Sequence, residues 1–349
     1  MVKEERFTFT SSQGSVQIHG MRWIPEEPVK AVFQICHGMS EYIERYRGFA
    51  NYLAGQGIAV VGHDHLGHGD SVSSKEDYGY FAENDGNKFL LADIHKVVRM
   101  TKKKYKKVPY IMLGHSMGSF LVRQYLCMHG TELQGAIICG TGYYSYPMTK
   151  FAMLLAKSES KMRGWKFRSG LLWWMTFGNY NARFRPNRTD SDWLCRDEEV
   201  VDTYIKDPKC GFAFTLNGYY NMFLGMSKIV RKEYLQKMPK DLPVFFISGD
   251  QDPVGNFGKG VRRVAQLFDE NGMENVEFRL YKDDRHELLN ELDKEQVYGD
   301  ITDWLRKNGL VPEGKRDEMR KAHLVSLCAL RRISLKDHII MISVIRLFF

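Results

Sequence analysis

The chain has 349 residues with a formal net charge of +8, 44% hydrophobic and 26% charged side chains, which excludes a disordered or fibrous protein and leaves room for one large core or two. No apolar run approaches the ~20 residues that span a bilayer, and MVKEERFTFTSSQG at the N-terminus lacks an apolar stretch with a small-residue cleavage site, so the expected location is cytoplasmic. The six cysteines form no C-x-x-C pair and are expected as small buried hydrophobes, with no disulfide framework and no zinc site.

In chain order, FTFT and VQIHGMRWI within residues 7–24 alternate about a turn at Ser11 to Gly14 and predict paired strands. KAVFQICHG (30–38) predicts a buried strand ending in a glycine loop, RYRGFANYLAGQG (45–57) an amphipathic helix, and IAVVGHDH (58–65) the next strand. A helix around 87–106 follows, then the strand VPYIML (108–113), which runs through GHSMG into a helix over 117–130. Strands LQGAIICG (133–140), LPVFFISG (242–249) and VEFRLY (276–281) complete the pattern with helices near 257–271 and 293–308. Alternation at this scale predicts an α/β fold, a mostly parallel central sheet flanked by helices on both faces.

Between 141 and 240 the alternation stops. This segment holds 19 of the 45 aromatic residues and a charge surplus of +8. It reads as an inserted helical cap whose stretch GLLWWMTFGNY (170–180) either builds the cap's own core or lines an apolar passage, which makes Trp173 and Trp174 candidates for substrate contact. The expected division is therefore 1–140 and 241–309 for the two parts of the core, 141–240 for the cap, and 310–349 for an apolar, basic extension. The basic segment would suit an anionic membrane or a phosphate-bearing substrate, and the cap or the extension would suit peripheral membrane contact. Nucleic acid is a poorer partner, since no recognition motif accompanies the charge; the oligomeric state stays open.

The chemistry concentrates at Gly114-His115-Ser116-Met117-Gly118. Strand, glycine turn and helix in succession would hold Ser116 exposed at a sharp bend, as a nucleophile requires. A serine hydroxyl needs a histidine to take its proton and a carboxylate to orient that histidine. Asp252, in SGDQDPVG just beyond a strand, and His286, in YKDDRHELLNE after the next, fit both places. Asp250 is the rival acid; Asp283 and Asp284 are expected to face solvent, and His115 to be a structural neighbour. The oxyanion would take backbone N–H groups from Met117 and from Met39, after His37-Gly38. His63, His65 and His68 in GHDHLGHGDS have the look of metal ligands, but the dinuclear pattern H-x-H-x-D-H needs aspartate where Gly67 stands. The loop reads better as a turn whose histidines and Asp64 bond neighbouring loops, and no metal is expected.

CHGMSEYIERY, GHDHLGHGDS, GHSMGS, SGDQDPVG and DRHELLNE together resemble the α/β-hydrolase serine lipases of the monoacylglycerol lipase and lysophospholipase group, whose wider family includes serine aminopeptidases. The resemblance covers residues 10–309 and implies the α/β-hydrolase fold. It implies the triad Ser116, Asp252 and His286, oxyanion donors at Met39 and Met117, a cap after the sixth strand above an acyl tunnel, and no cofactor. The 310–349 tail departs from that pattern. The expected activity is hydrolysis of single-acyl lipid esters. An esterase or peptidase acting on non-lipid substrates with the same triad, and a non-catalytic apolar-ligand-binding protein, are the alternatives.

Overall fold

A computed structural model describes residues 2–312; most of the 310–349 extension lies outside the described residues. Eight strands form one sheet in the order β1-β2-β4-β3-β5-β6-β7-β8. β1 (Lys3–Thr10) and β2 (Gln17–Ile24) pair antiparallel, with Phe7 opposite Gly20, and β2 joins β4 (Ile58–His63) antiparallel. From β4 the sheet is parallel, through β3 (Ala31–Cys36), β5 (Tyr110–His115), β6 (Gly135–Cys139), β7 (Val244–Gly249) and β8 (Val276–Tyr281). β1 begins four residues before the predicted FTFT, because Lys3 to Arg6 sit on an edge strand where charged side chains reach water and blunt the open edge.

Every residue of β3 to β7 is buried, which is why those segments read as continuous apolar runs rather than alternating ones. The helices α1 (Arg47–Ala54), α2 (Gly86–Lys104), α3 (Met117–His129), α9 (Lys259–Glu270) and α10 (Lys294–Lys307) cover the sheet. In α2 the buried stripe Leu90, Leu91, Ile94, Val97, Val98 recurs at helical spacing, and Lys102 to Lys104 sit in the last turn, where the helix dipole favours cations. α9 buries Val261, Val264 and Phe268, and α10 lays Trp304 on Phe245 with ring centroids 5.6 Å apart. Each such side chain contributes about 1.5–3 kcal/mol on leaving water.

Between β6 and β7 lie α4 (Tyr146–Arg163), α5 (Gly170–Phe177), α6 (Glu198–Lys206), α7 (Leu216–Lys228) and the short α8 (Lys232–Leu235). Ser169, Asp197 and Thr215 start three of them by accepting N–H bonds from Leu172, Glu199 and Gly218. α4 packs on α7, and their buried residues Ala156, Met222 and Met226 join the core over the sheet, while Phe151, Leu154 and Trp174 stay about 60% exposed. The strand order places β3 between β4 and β5. The chain reverses direction across the sheet at that point, and the loops after β3 and β5 diverge there and leave a crevice.

Candidate active site

β5 passes into α3 through Ser116, whose backbone has φ 53° and ψ −118°. A non-glycine residue held there costs of order 1–3 kcal/mol and persists only where its surroundings enforce it. Here Ser116 N–H donates to Cys139 O at 3.0 Å, and Ser116 O accepts from both the N–H and the hydroxyl of Ser119. The flanking glycines are sterically required: a Cβ on Gly114 would stand 2.3 Å from Gly118 O, and one on Gly118 would stand 2.0 Å from Cys36 O. The start of α3 is thus pressed onto the end of β3.

That contact brings the loop after β3 over Ser116. A Cβ on Gly38 would lie 3.1 Å from Ser116 Cβ and 2.5 Å from Glu41 Oε1, and Gly38 N–H donates to that same Oε1 at 2.6 Å. Ser40 turns the chain with φ 55° and donates its hydroxyl to Phe212 O. Met39, between them, borders the same space as Ser116, and so does Met117, whose N–H at the start of α3 has no partner within the helix.

The loops after β7 and β8 supply Asp252 and His286. His286 Nδ1 lies 3.0 Å from Asp252 Oδ1, off the line of a straight hydrogen bond; such bonds often straighten only when substrate is present. Asp252 is fully buried, with Val254 N–H on Oδ1 and the Ser248 hydroxyl on Oδ2. Asp250 is occupied with Gln251 Nε2 and Asp283 N–H, both at 2.9 Å, and not with His286.

Asp284 does not face solvent as the sequence suggested. It is fully buried and paired with Arg196, which also reaches Glu291 at 2.9 Å and Asp293 at 2.7 Å. Burial, with Glu291 beside it, pushes the Asp284 carboxyl up to about 8 despite the guanidinium. Arg196 belongs to a strap, residues 192–197, laid along the His286 loop: Leu194 O accepts from Glu287 N–H at 2.7 Å, Arg285 donates to Asp192 O and Cys195 O, and the Trp193 ring lies 5.2 Å from that of His286.

Behind the crevice is a buried ionic network. Arg45 binds Glu287 through two bonds of 2.7 Å and Glu41 through one of 2.9 Å; Glu41 also accepts from Tyr46 at 2.8 Å and lies 3.2 Å from His115 Nδ1. Burial alone would raise the Glu41 carboxyl, but His115 and Arg45 outweigh it and hold it below the usual carboxylate range. Burial likewise pulls His115 down, and Glu41 more than reverses this. His115 Nε2 meets His286 O at 3.1 Å, so the neighbour of the serine steadies the histidine loop.

Two cavities meet at Ser116, Met39, Phe177 and Trp193. One, of about 290 Å³, is apolar and bordered by Phe120, Met148, Phe151, Leu172, Met222 and Met226. The other, of about 230 Å³, is bordered by Glu41, Asp190, Ser191, Tyr204, His286 and Glu287, and among the described residues no lysine or arginine borders it. Trp173 lines the polar cavity; Trp174 borders neither. The charge surplus of the 141–240 segment therefore does not reach this lining.

In GHDHLGHGDS, Asp64 bonds as expected, accepting N–H groups of Ile43 and Asp70 at 2.9 Å. The histidines mostly do not: both ring nitrogens of His63 and of His65 lack hydrogen-bond partners among the described residues, and the rings pack on one another 5.0 Å apart. Sequence reasoning missed Glu41, Arg45, Glu287 and Arg196. Glu41 and Arg45 do carry a local signal, since they stand four apart within a short turn. Arg196 carries none, because its partners are about 90 residues away.

The serine aminopeptidase, S33 family model matches residues 27–293. A monoacylglycerol lipase of Mycolicibacterium smegmatis is 25% identical over 300 residues, covering 84% of this chain and 94% of that protein. A thermostable carboxyl esterase from Bacillus coagulans, solved with glycerol, is 26% identical with a TM-score of 0.82 over 89% of this chain and all of that one. A soluble variant of the Saccharomyces cerevisiae monoglyceride lipase shares the fold, with a TM-score of 0.68 at 20% identity over 88% of this chain and 95% of that one. Fold, matched motifs and relatives agree: the chain belongs to the serine aminopeptidase, S33 family of α/β-hydrolases and is a serine hydrolase of the monoacylglycerol lipase-like kind.

Proposed function

We propose that the protein hydrolyses single-acyl lipid esters with an uncharged polyol head, through an acyl-enzyme on Ser116. The observation that carries this reading is the meeting of an apolar and a cation-free polar cavity at one serine. The acyl chain takes the apolar side and the alcohol the polar one. Ser116 Oγ attacks the ester carbonyl while His286 accepts its proton through Nε2, the nitrogen that Asp252 leaves free. The N–H groups of Met39 and Met117 receive the oxyanion, His286 returns the proton to the departing alcohol, and water then releases the fatty acid by the same steps. Residues 141–240 act as the cap. The exposed apolar side chains of α4 and α5, several of which continue into the apolar cavity, meet the lipid surface from which substrate is drawn. Among the described residues no helix is long and apolar enough to cross a membrane.

The head-group part is tested by matched acyl chains. A monoacylglycerol is expected to be turned over at least about tenfold faster, in kcat/KM, than a lysophosphatidate, whose phosphate would meet Asp190 and a Glu41–Glu287 pair whose counter-cation, Arg45, is already bound to both. Equal or inverted preference would overturn it. The acidic border also favours a second reading, capture of a peptide's terminal ammonium; aminoacyl nitroanilides turned over faster than any acylglycerol would establish that instead.

Arg196 tests the strap. Arg196→Met is expected to lower kcat by roughly 10–100-fold with KM little changed, because a misplaced general base costs chemistry rather than binding. Steady-state kinetics beside a circular dichroism check of the fold would measure it; unaltered kcat would show that the strap does not position His286.

A further inference from the structure

Away from the crevice, three metal-ligating side chains converge that the hydrolytic reading does not use. His95 lies in α2, His129 in the last turn of α3 and Glu132 in the turn that follows. His95 Nδ1 and His129 Nδ1 face the same oxygen, Glu132 Oε1, at 3.7 and 4.0 Å, and one donor atom from each residue falls within 4.8 Å of the other two. The two imidazole rings lie parallel, 14° apart in plane and 4.0 Å between centroids. Two protonated rings would repel at that distance.

We propose that His95, His129 and Glu132 form a surface site for a divalent first-row transition metal of the zinc class. Two imidazole nitrogens and one carboxylate oxygen are the donor set such ions accept, whereas calcium and magnesium favour oxygen alone. With metal–ligand distances near 2.1 Å, tetrahedral geometry places neighbouring donors about 3.4 Å apart, so the 3.7 and 4.0 Å separations close by a few tenths of an ångström, while the stacked rings must turn about their side-chain torsions to aim both nitrogen lone pairs at one ion. The three side chains are 22–33% exposed, which leaves the remaining coordination position open to water. Two groups compete with the ion: the Tyr125 hydroxyl, 3.0 Å from His95 Nδ1, and Lys102 Nζ, 3.8 Å from Glu132 Oε2. Each must yield its contact, which sets the affinity in the micromolar rather than the nanomolar range. The bound ion would clip α2 to α3 at the end of α3 remote from Ser116, about 20 Å along the helix axis.

The test uses tag-free full-length protein, stripped with a chelator and titrated with Zn2+ in competition with a chromophoric chelator. One equivalent is expected to bind the unaltered protein and to raise its thermal midpoint. Loss of an outer-sphere partner already costs about 10–100-fold in metal affinity, so His129→Ala and the conservative Glu132→Gln should each cost at least tenfold and abolish the thermal shift. Ester hydrolysis by the metal-free variants should match that of the unaltered protein. The proposal is overturned if no single equivalent binds at micromolar free Zn2+. It is equally overturned if both variants bind as the unaltered protein does, since the ion then sits elsewhere, for instance at the active-site histidines.

Discussion

Ser116→Ala is expected to lower kcat/KM on a long-chain ester by roughly 10⁴-fold or more, with the fold intact. Alanine removes only an oxygen at a position whose backbone is held by Cys139 and Ser119, so the bend has no reason to relax. The residual rate would come from binding and the two oxyanion donors, which need no nucleophile on the chain. Fluorophosphonate labelling located by peptide mass spectrometry supplies the companion measurement, with an adduct on Ser116 in the unaltered protein and none in the variant. Substantial turnover by Ser116→Ala would move the chemistry to another residue.

Acid is expected to unfold this protein sooner than its size suggests. Burial, the largest cause in each case, brings His37 down to about 4 and His63 and His68 to about 3, and holds His65 well below its ordinary 6.5. Folded, these four rings stay neutral; unfolded, each takes up a proton near pH 6.5, so stability falls as pH drops below that value. Asp64, raised to about 6, and Asp284, raised to about 8, act in the opposite sense, because folding helps them keep a proton the unfolded chain gives up above 3.8. Near pH 5 the unfolded chain therefore binds about two more protons than the folded one, a slope of roughly 2–3 kcal/mol per pH unit. Two units of such loss consume about 5 kcal/mol, the lower end of a typical domain's whole stability. An acid midpoint between about pH 4 and 5 should appear in far-ultraviolet circular dichroism. Equal urea resistance at pH 4 and pH 7 would show that these rings are solvated or paired.

The sheet and its flanking helices were legible because buried parallel strands and amphipathic helices leave opposite periodicities in the chain, and Gly114 to Gly118 mark the point where one becomes the other. Ser116, Asp252 and His286 could be picked out because each follows a strand at the same edge of the sheet, a matter of order and spacing. Burial of Asp284 was not legible. An aspartate beside another aspartate and an arginine looks solvated until a guanidinium from 88 residues away is folded against it. The same holds for the polar cavity: a segment rich in lysine and arginine borders it with Asp190, Ser191 and Trp193, and its cations point elsewhere. The sign of a segment's charge says little about the sign of the few side chains it turns inward.

The junction of two cavities at one serine also bears on the order of events. In the proposed acyl-enzyme route, once the alcohol departs, the polar cavity stands open to solvent while the acyl chain still fills the apolar one. The attacking water then enters where the leaving group left, and any small neutral alcohol can enter by that path. Hydrolysis and acyl transfer become competing fates of one intermediate, divided by what occupies a space of about 230 Å³ at that moment. In polyol-rich surroundings such an enzyme would hand its acyl group from alcohol to alcohol, and its net direction would be set by water activity rather than by any change in the catalytic residues.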